Sequence, residues 1–259
     1  MPASTEARTP PAGEAVADRL FALLNSFDAS HRSQTLASIA GRTGLPHTSA
    51  LRLARQLTGV GALERLDDGR YVVGPHLLEI ASLAPRRHRL RSVAMPFLED
   101  LFDVTGQHVL LAVRDGGEAL LLERLCAHDT RPVRFRVGGR MPLSTTGVGL
   151  VLLAFAPAKV QERALDDFAP DAAHARMHTP EDLRRTLNEI RRGDYAVATR
   201  ARPWPRTTAG APVREGQRVV AAVSVVAPST DFDMSAYAPA IRTTARAISR
   251  QMTSLGTGI

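Results

Sequence analysis

The stretch Leu36-Ala-Ser-Ile-Ala-Gly-Arg-Thr-Gly-Leu-Pro-His-Thr-Ser-Ala-Leu-Arg-Leu53 decides how the first quarter of the chain folds. Leu36, Ile39 and Ala40 share one helix face, and Thr35 stands before them as an N-cap, so a helix is expected over 35–43. Gly44 ends it, because glycine enters the left-handed region without steric penalty, and Pro46 then presets the first turn of a third helix from His47 to about Thr58. Ala50, Leu53, Ala54 and Leu57 give that helix its buried face. The polar residues left over, His47, Thr48, Ser49, Arg52 and Arg55, crowd its N-terminal half. Two helices joined this way make a helix-turn-helix, whose second helix uses that half to reach base edges and phosphates.

Working outward, Val16, Leu20, Leu23, Leu24 and Phe27 form the apolar face of a preceding helix, while residues 1–13, rich in proline and small polar residues, read as a disordered tail. Downstream, 63–66 and 71–73 flank Asp67-Asp-Gly-Arg70, an Asp-Gly turn that predicts a β-hairpin wing with Arg70 at its tip. Residues 29–63 hold Arg32, Arg42, Arg52 and Arg55 and no Asp or Glu. Such a run suits a surface kept positive for an anionic polymer; the competing reading is chance in a chain of net charge +7 whose only lysine is Lys159. A winged helix can also serve protein contacts, and that alternative stands beside DNA binding.

The same 36–53 run, the wing Leu63-Glu-Arg65 and the exit Gly69-Arg-Tyr-Val-Val-Gly-Pro-His-Leu-Leu-Glu79 resemble the start of an IclR-family transcriptional regulator. One departure is Ser38, where the family often places the Glu of a capping box. The resemblance continues through Arg140-Met-Pro-Leu-Ser-Thr-Thr-Gly-Val-Gly149, Ile190-Arg-Arg-Gly-Asp-Tyr-Ala-Val197, Ala211-Pro-Val213 and Ala221-Ala-Val-Ser-Val225. It implies an α+β chain: a winged helix-turn-helix over 14–74, a linker helix over 75–91, and over 92–259 a GAF-like, antiparallel-rich sheet flanked by helices that binds an effector and oligomerises. It also implies double-stranded operator DNA, a small-molecule effector and a second copy, in a dimer or tetramer, as partners. DNA contact is expected from Arg32, Arg42, His47, Thr48, Ser49, Arg52, Arg55 and Arg70.

In the linker, Leu77, Leu78, Ile80, Ala81 and Leu83 suit an amphipathic helix, and Arg86, Arg87, Arg89 and Arg91 a solvated connector. Beyond it, helices are expected at 93–104, 144–155, 157–168, 179–192 and toward the C-terminus, and strands at 108–113, 119–125, 133–137, 195–200, 211–214 and 219–226. The resemblance places the effector among Ser144, Thr145, Thr146, Gly147 and Val148, the segment from Ala198 through Arg200 to Thr208, and Ser224. A Ser-Thr-Thr-Gly sequence opening a helix offers free N–H groups and hydroxyls to an anion, although a plain N-cap accounts for it equally. Relatives carry acids and a glycine across 198–208; this chain has Arg200, Arg202, Trp204 and Arg206, which favours an anionic, aromatic-bearing ligand or else marks an exposed arginine loop or dimer contact.

Catalysis in the C-terminal pocket is the remaining alternative. Cys126 near His128 and Asp129 lacks an oxyanion loop, and His174 with His178 lacks a third ligand. No phosphate loop, nucleophile elbow or zinc-protease motif occurs, so no catalytic residue, metal or cofactor is expected. With no apolar run near the roughly 18 residues of a span, no signal-like start, and one cysteine, a cytoplasmic protein without membrane association is expected.

Overall fold

The computed structural model of the chain describes residues 16–28, 30–126, 135–170 and 177–256. The tail expected at 1–13, together with His128, Asp129 and His174, lies outside the described residues. The chain divides into two compact units, Met1–His88 and Arg89–Ile259.

In the first unit, α1 (Val16–Asn25) buries Leu23 beside Phe27, and β1 (Ser33–Gln34) leads into α2 (Leu36–Thr43). The Thr35 hydroxyl accepts the Ser38 N–H at 3.2 Å, so the cap forms without the family's glutamate, and the Ser38 hydroxyl donates instead to Gln34 at 2.9 Å. Gly44, at φ 69°, turns the chain into α3 (His47–Gly59). Ala50, Leu53, Ala54 and Leu57 of α3 meet Leu23, Ile39 and Tyr71 in one core. β2 (Leu63–Arg65) and β3 (Tyr71–Val73) are the wing, antiparallel, and β1 pairs with the outer side of β3. β1 was not expected: two polar residues carry no period-two signal, and what buries Gln34 is its amide, which donates to the Ser26 carbonyl at 3.0 Å. α4 (Pro75–Ser82) follows with no buried residue.

The solvated connector expected beyond residue 85 is instead the start of α5 (Pro85–Thr105), which absorbs the helix expected at 93–104. Two of its arginines find partners: Arg89 donates to the Met252 carbonyl at 3.1 Å, and Arg91 to the buried Glu123 at 2.6 Å. A partnered guanidinium can lie along a helix where a run of solvated ones would repel.

There follow β4 (His108–Asp115), β5 (Glu118–Leu125), β6 (Arg140–Pro142), α6 (Gly147–Ala154), α7 (Ala158–Asp166), α8 (Pro180–Gly193), β7 (Ala196–Arg200), β8 (Arg206–Glu215), β9 (Arg218–Pro228) and α9 (Met234–Gly256). The strands form one antiparallel sheet in the order β6-β5-β4-β9-β8-β7. Alternation along each strand feeds two cores. Leu110, Ala112, Ala198, Ala222 and Val226 pack against α6, α7 and α8; Val109, Leu111, Ala209, Val223 and Val225 pack against α5 and α9. This is the α+β organisation expected, with helices on both faces of the sheet.

Three local differences matter. Of the strand expected at 133–137, the described residues 135–137 are not extended into the sheet; Arg140–Pro142 pairs with β5 instead. The helix expected from 144 begins only at Gly147, because Thr146 is its cap and its hydroxyl accepts the Gly149 N–H at 3.1 Å. β8 starts at Arg206, five residues before the expected 211, since its whole length finds partners on β9. β7 pairs only with Arg206 to Gly210; beyond it α9 lies along β8, with Ser249 accepting the Arg214 N–H at 2.8 Å and Thr253 accepting the Gly216 N–H at 3.2 Å.

Candidate nucleic-acid interface and ligand site

Because α3 buries its apolar stripe against α1 and α2, its remaining face is left to solvent. His47, Thr48, Arg52 and Arg55 are exposed there and Ser49 is half-buried; Arg32 is exposed just before β1. None of the three arginines has a hydrogen-bond or ion-pair partner among the described residues. Arg70, at the wing tip, leans on Asp68 at 3.5 Å.

Arg42 is different. Its guanidinium donates to Asp28 at 2.6 Å and to the Ser26 carbonyl at 2.9 Å, stitching α2 to the segment after α1. Burial pushes the Asp28 carboxyl up, but the His31 ring, the Ser30 N–H and Arg42 together outweigh that and hold it below the ordinary carboxylate range. Arg42 therefore ties α2 to the segment after α1, a role that the arginine count could not reveal.

Apolar residues of this unit stand largely exposed: Phe21 of α1 at 65%, Leu78 of α4 at 75%, and Leu83, just after α4, at 78%. A helix with an apolar face and no buried residue is incomplete as a monomer surface.

In the second unit the residues expected at the effector site come together on the α6 face of the sheet. Register places His108, Val226, Thr208 and Ala198 in one row across β4, β9, β8 and β7, and Leu110, Ser224, Gly210 and Ala196 in the next. The start of α6 lies on these rows: a Cβ on Gly147 would stand 2.4 Å from Thr208 Cγ2, so only glycine allows the approach. Val148 is buried beside it, while Ser144, Thr145 and Thr146 are half-exposed. Arg200, at the end of β7, reaches across to donate to the Thr145 carbonyl at 3.4 Å. Ser224 is 0% exposed, and its hydroxyl has no partner among the described residues. An orphaned buried hydroxyl is unfavourable by roughly 1–3 kcal/mol, which marks Ser224 as a group awaiting a ligand or a water.

The 200–206 segment is not the free arginine loop that its composition allowed. Trp204 is 6% exposed and joins the α6-side core, with the Arg206 guanidinium 5.6 Å from its ring centroid. Arg206 also donates to the Arg202 carbonyl at 2.7 Å, leaving Arg202 exposed. Sequence reasoning passed over His108, buried at the head of its row, and Arg124, which lies opposite Leu110 and donates to the Phe135 carbonyl at 2.6 Å. The strand alternation that predicted β4 could have assigned His108 to this face.

Elsewhere Cys126 is exposed, and the His178 N–H is taken by Asp182. Among the described residues no group of three His, Cys, Asp or Glu could hold a metal, and no helix is long and apolar enough to cross a membrane.

Comparison with known proteins places this geometry. Residues 16–67 match the IclR helix-turn-helix domain, and residues 83–250 match the bacterial transcriptional regulator IclR C-terminal domain. The chain is 30% identical over 203 residues to the HTH-type transcriptional regulator KipR of Bacillus subtilis, covering 78% of this chain and 80% of that protein. It is 26% identical to the Pca operon regulatory protein of Acinetobacter baylyi, covering 80% and 77%. Among solved structures, an IclR homolog from Microbacterium hydrocarbonoxydans complexed with 4-hydroxybenzoate superposes with a TM-score of 0.87 at 32% identity, covering 93% of this chain and 100% of that one.

Proposed function

The chain belongs to the IclR family of bacterial transcriptional regulators, and from that premise we propose that it binds its operator through the exposed half of α3 and answers to an aromatic carboxylate. The observation that carries the ligand class is the contact of the Arg200 guanidinium with the loop that opens α6, on the same face of the sheet as the buried Ser224 hydroxyl. In this reading a carboxylate takes the N–H groups at the start of α6 and one arm of Arg200, and Ser224 donates to the ligand's polar end. Alanines and Val226 supply the apolar floor for a ring. The similarity to a regulator complexed with 4-hydroxybenzoate supports the aromatic part. Arg200 is the anion partner, rather than Arg202 or Arg206, because Arg206 is held by Trp204 and its own loop.

On DNA, Arg32, His47, Thr48, Ser49, Arg52 and Arg55 make the reading surface and Arg70 follows the adjacent phosphate. One such helix reads only a few base pairs, so a second copy is needed for specificity. The exposed Phe21, Leu78 and Leu83 give two copies an apolar seam. Ligand occupancy and operator affinity are then coupled reciprocally.

Titration with 4-hydroxybenzoate and its neutral alcohol analogue tests the ligand class. The acid should bind at least about tenfold tighter, roughly 1.4 kcal/mol, and Arg200→Ala should erase that preference. Tighter binding of neutral sugars or amines than of any carboxylate would overturn it. For DNA, Arg52→Ala should weaken operator binding and flatten the salt dependence by about one unit of slope; an unaltered footprint and slope would remove Arg52 from the interface.

A further inference from the structure

A second cleft opens at the far end of β8, between that strand and α9. Its enclosed space is only about 20 Å³, little more than one water, and the rest of it is open to solvent; Asp194, Pro212, Arg214, Arg242 and Arg246 line it. This is below the roughly 300 Å³ at which drug-sized ligand sites begin. Thr208, at the proposed effector site, is six residues from Arg214 along β8, about 20 Å at strand rise.

The charges in this cleft do not balance. Arg242 and Arg246 stand one turn apart on α9, where like charges repel, and neither has a hydrogen-bond or ion-pair partner among the described residues. The one carboxylate, Asp194, is already held by Arg214, at 2.8 Å and 3.3 Å from its two oxygens. Arg214 is itself fixed: its guanidinium lies 5.0 Å from the Phe155 ring centroid, and its N–H is bonded to Ser249. Three arginines therefore line a cleft with one carboxylate, leaving an excess of two positive charges in a shallow concave place with Arg246 exposed at its rim.

We propose that this cleft is a second ligand site of the regulatory domain, separate from the effector site, and that it takes a small oxyanion carrying two negative charges. Arg242 and Arg246 clasp the anion from α9, and Arg214 offers the third fork from β8 while keeping Asp194 turned aside. Small size follows from the narrowness of the cleft, on whose open rim the anion sits, and double charge from the charge excess. A phosphate and a short dicarboxylate share this chemistry.

Calorimetric titration of the full chain with inorganic phosphate and, separately, succinate, at ionic strength held constant with chloride, tests it. The expected result is one saturable site per protomer for at least one probe, weakened at least tenfold in Arg242→Gln/Arg246→Gln and changed less than twofold in Arg200→Ala. Binding of phosphate alone identifies a tetrahedral anion, and of succinate alone a dicarboxylate. Asp194→Asn, which removes the competing carboxylate, should tighten binding several-fold, and it decides the matter even if the double variant folds poorly. Failure of both probes to saturate, or undiminished binding by the double variant, would overturn the proposal; so would loss of binding in Arg200→Ala, which would put the anion in the effector site.

Discussion

Gly147→Ala is the substitution whose consequence follows most directly from the coordinates. The new methyl would stand 2.4 Å from Thr208 Cγ2 and 3.0 Å from Thr208 Cβ, where unstrained carbon contacts are about 3.5–4.0 Å apart. Something must therefore move by about 1 Å. α6 cannot retreat, since every residue from Gly147 to Ala154 is buried. Overpacking of this kind destabilises by about 1–3 kcal/mol. Alanine recovers at most about 1 kcal/mol through helix propensity, and less at a first helical position. The overlap wins, with a net loss of about 1–2 kcal/mol. Trp204, the only tryptophan and a buried member of the adjoining core, reports unfolding of this unit by fluorescence. In urea, at fixed protomer concentration, the midpoint should fall by about 0.5–1 M for a slope near 2 kcal/mol/M. Thr208→Ser removes the atom in closest conflict, so Gly147→Ala/Thr208→Ser should regain about 1 kcal/mol relative to Gly147→Ala. A midpoint for Gly147→Ala at or above wild type, or a double variant no better than the single one, would refute the close approach of α6 to β8.

Ser224→Ala should move two properties in opposite directions: the free protein gains about 1 kcal/mol by losing an orphaned hydroxyl, while 4-hydroxybenzoate binds about fivefold or more weakly, as urea midpoints and calorimetry would show. Arg42→Ala should lower the stability of the first unit by about 1 kcal/mol, discounted because the pair is about a third exposed, and leave the salt slope of operator binding unchanged; a slope smaller by one would restore Arg42 to the phosphate contacts. The His178 N–H, with Thr179 and Arg185, holds Asp182 down to about 2, so its contribution to the α8 cap is complete above the ordinary carboxylate pKa and is lost as pH falls through about 2. A carboxyl NMR titration should place its midpoint near 2, and a midpoint near 4 would mean that the capping box does not form in solution.

Much of this architecture is legible in the chain because short-range signals agree with one another. Thr35, Gly44 and Pro46 punctuate the helix-turn-helix through cap and turn chemistry that acts within a few residues, and the Asp68-Gly69 turn does the same for the wing. What escaped depends on partners far along the chain. Arg42 reads as one more free cation until Asp28 and Ser26 are brought to it, and Arg89 and Arg91 read as part of a solvated connector until Met252 and Glu123 are. The juxtaposition of Arg200 with Thr145 spans 55 residues and rests on sheet order, which no local pattern encodes. Trp204 escaped for a related reason: flanking prolines and arginines suggest exposure, whereas the ring is large enough to anchor its loop in the core.

The way α9 lies along the outer half of β8 bears on strand addition at the margin of the sheet. A strand left with unpaired amides is a template on which another chain can add itself; the Ser249 hydroxyl occupies one such donor, Arg214 N–H, Thr253 holds the Gly216 N–H of the turn that follows, and Pro212 has no donor to offer. At the opposite margin β6 is three residues long and ends in Pro142. On the β7 side of the sheet, the five residues of β7 are the described margin on which a foreign strand can pair.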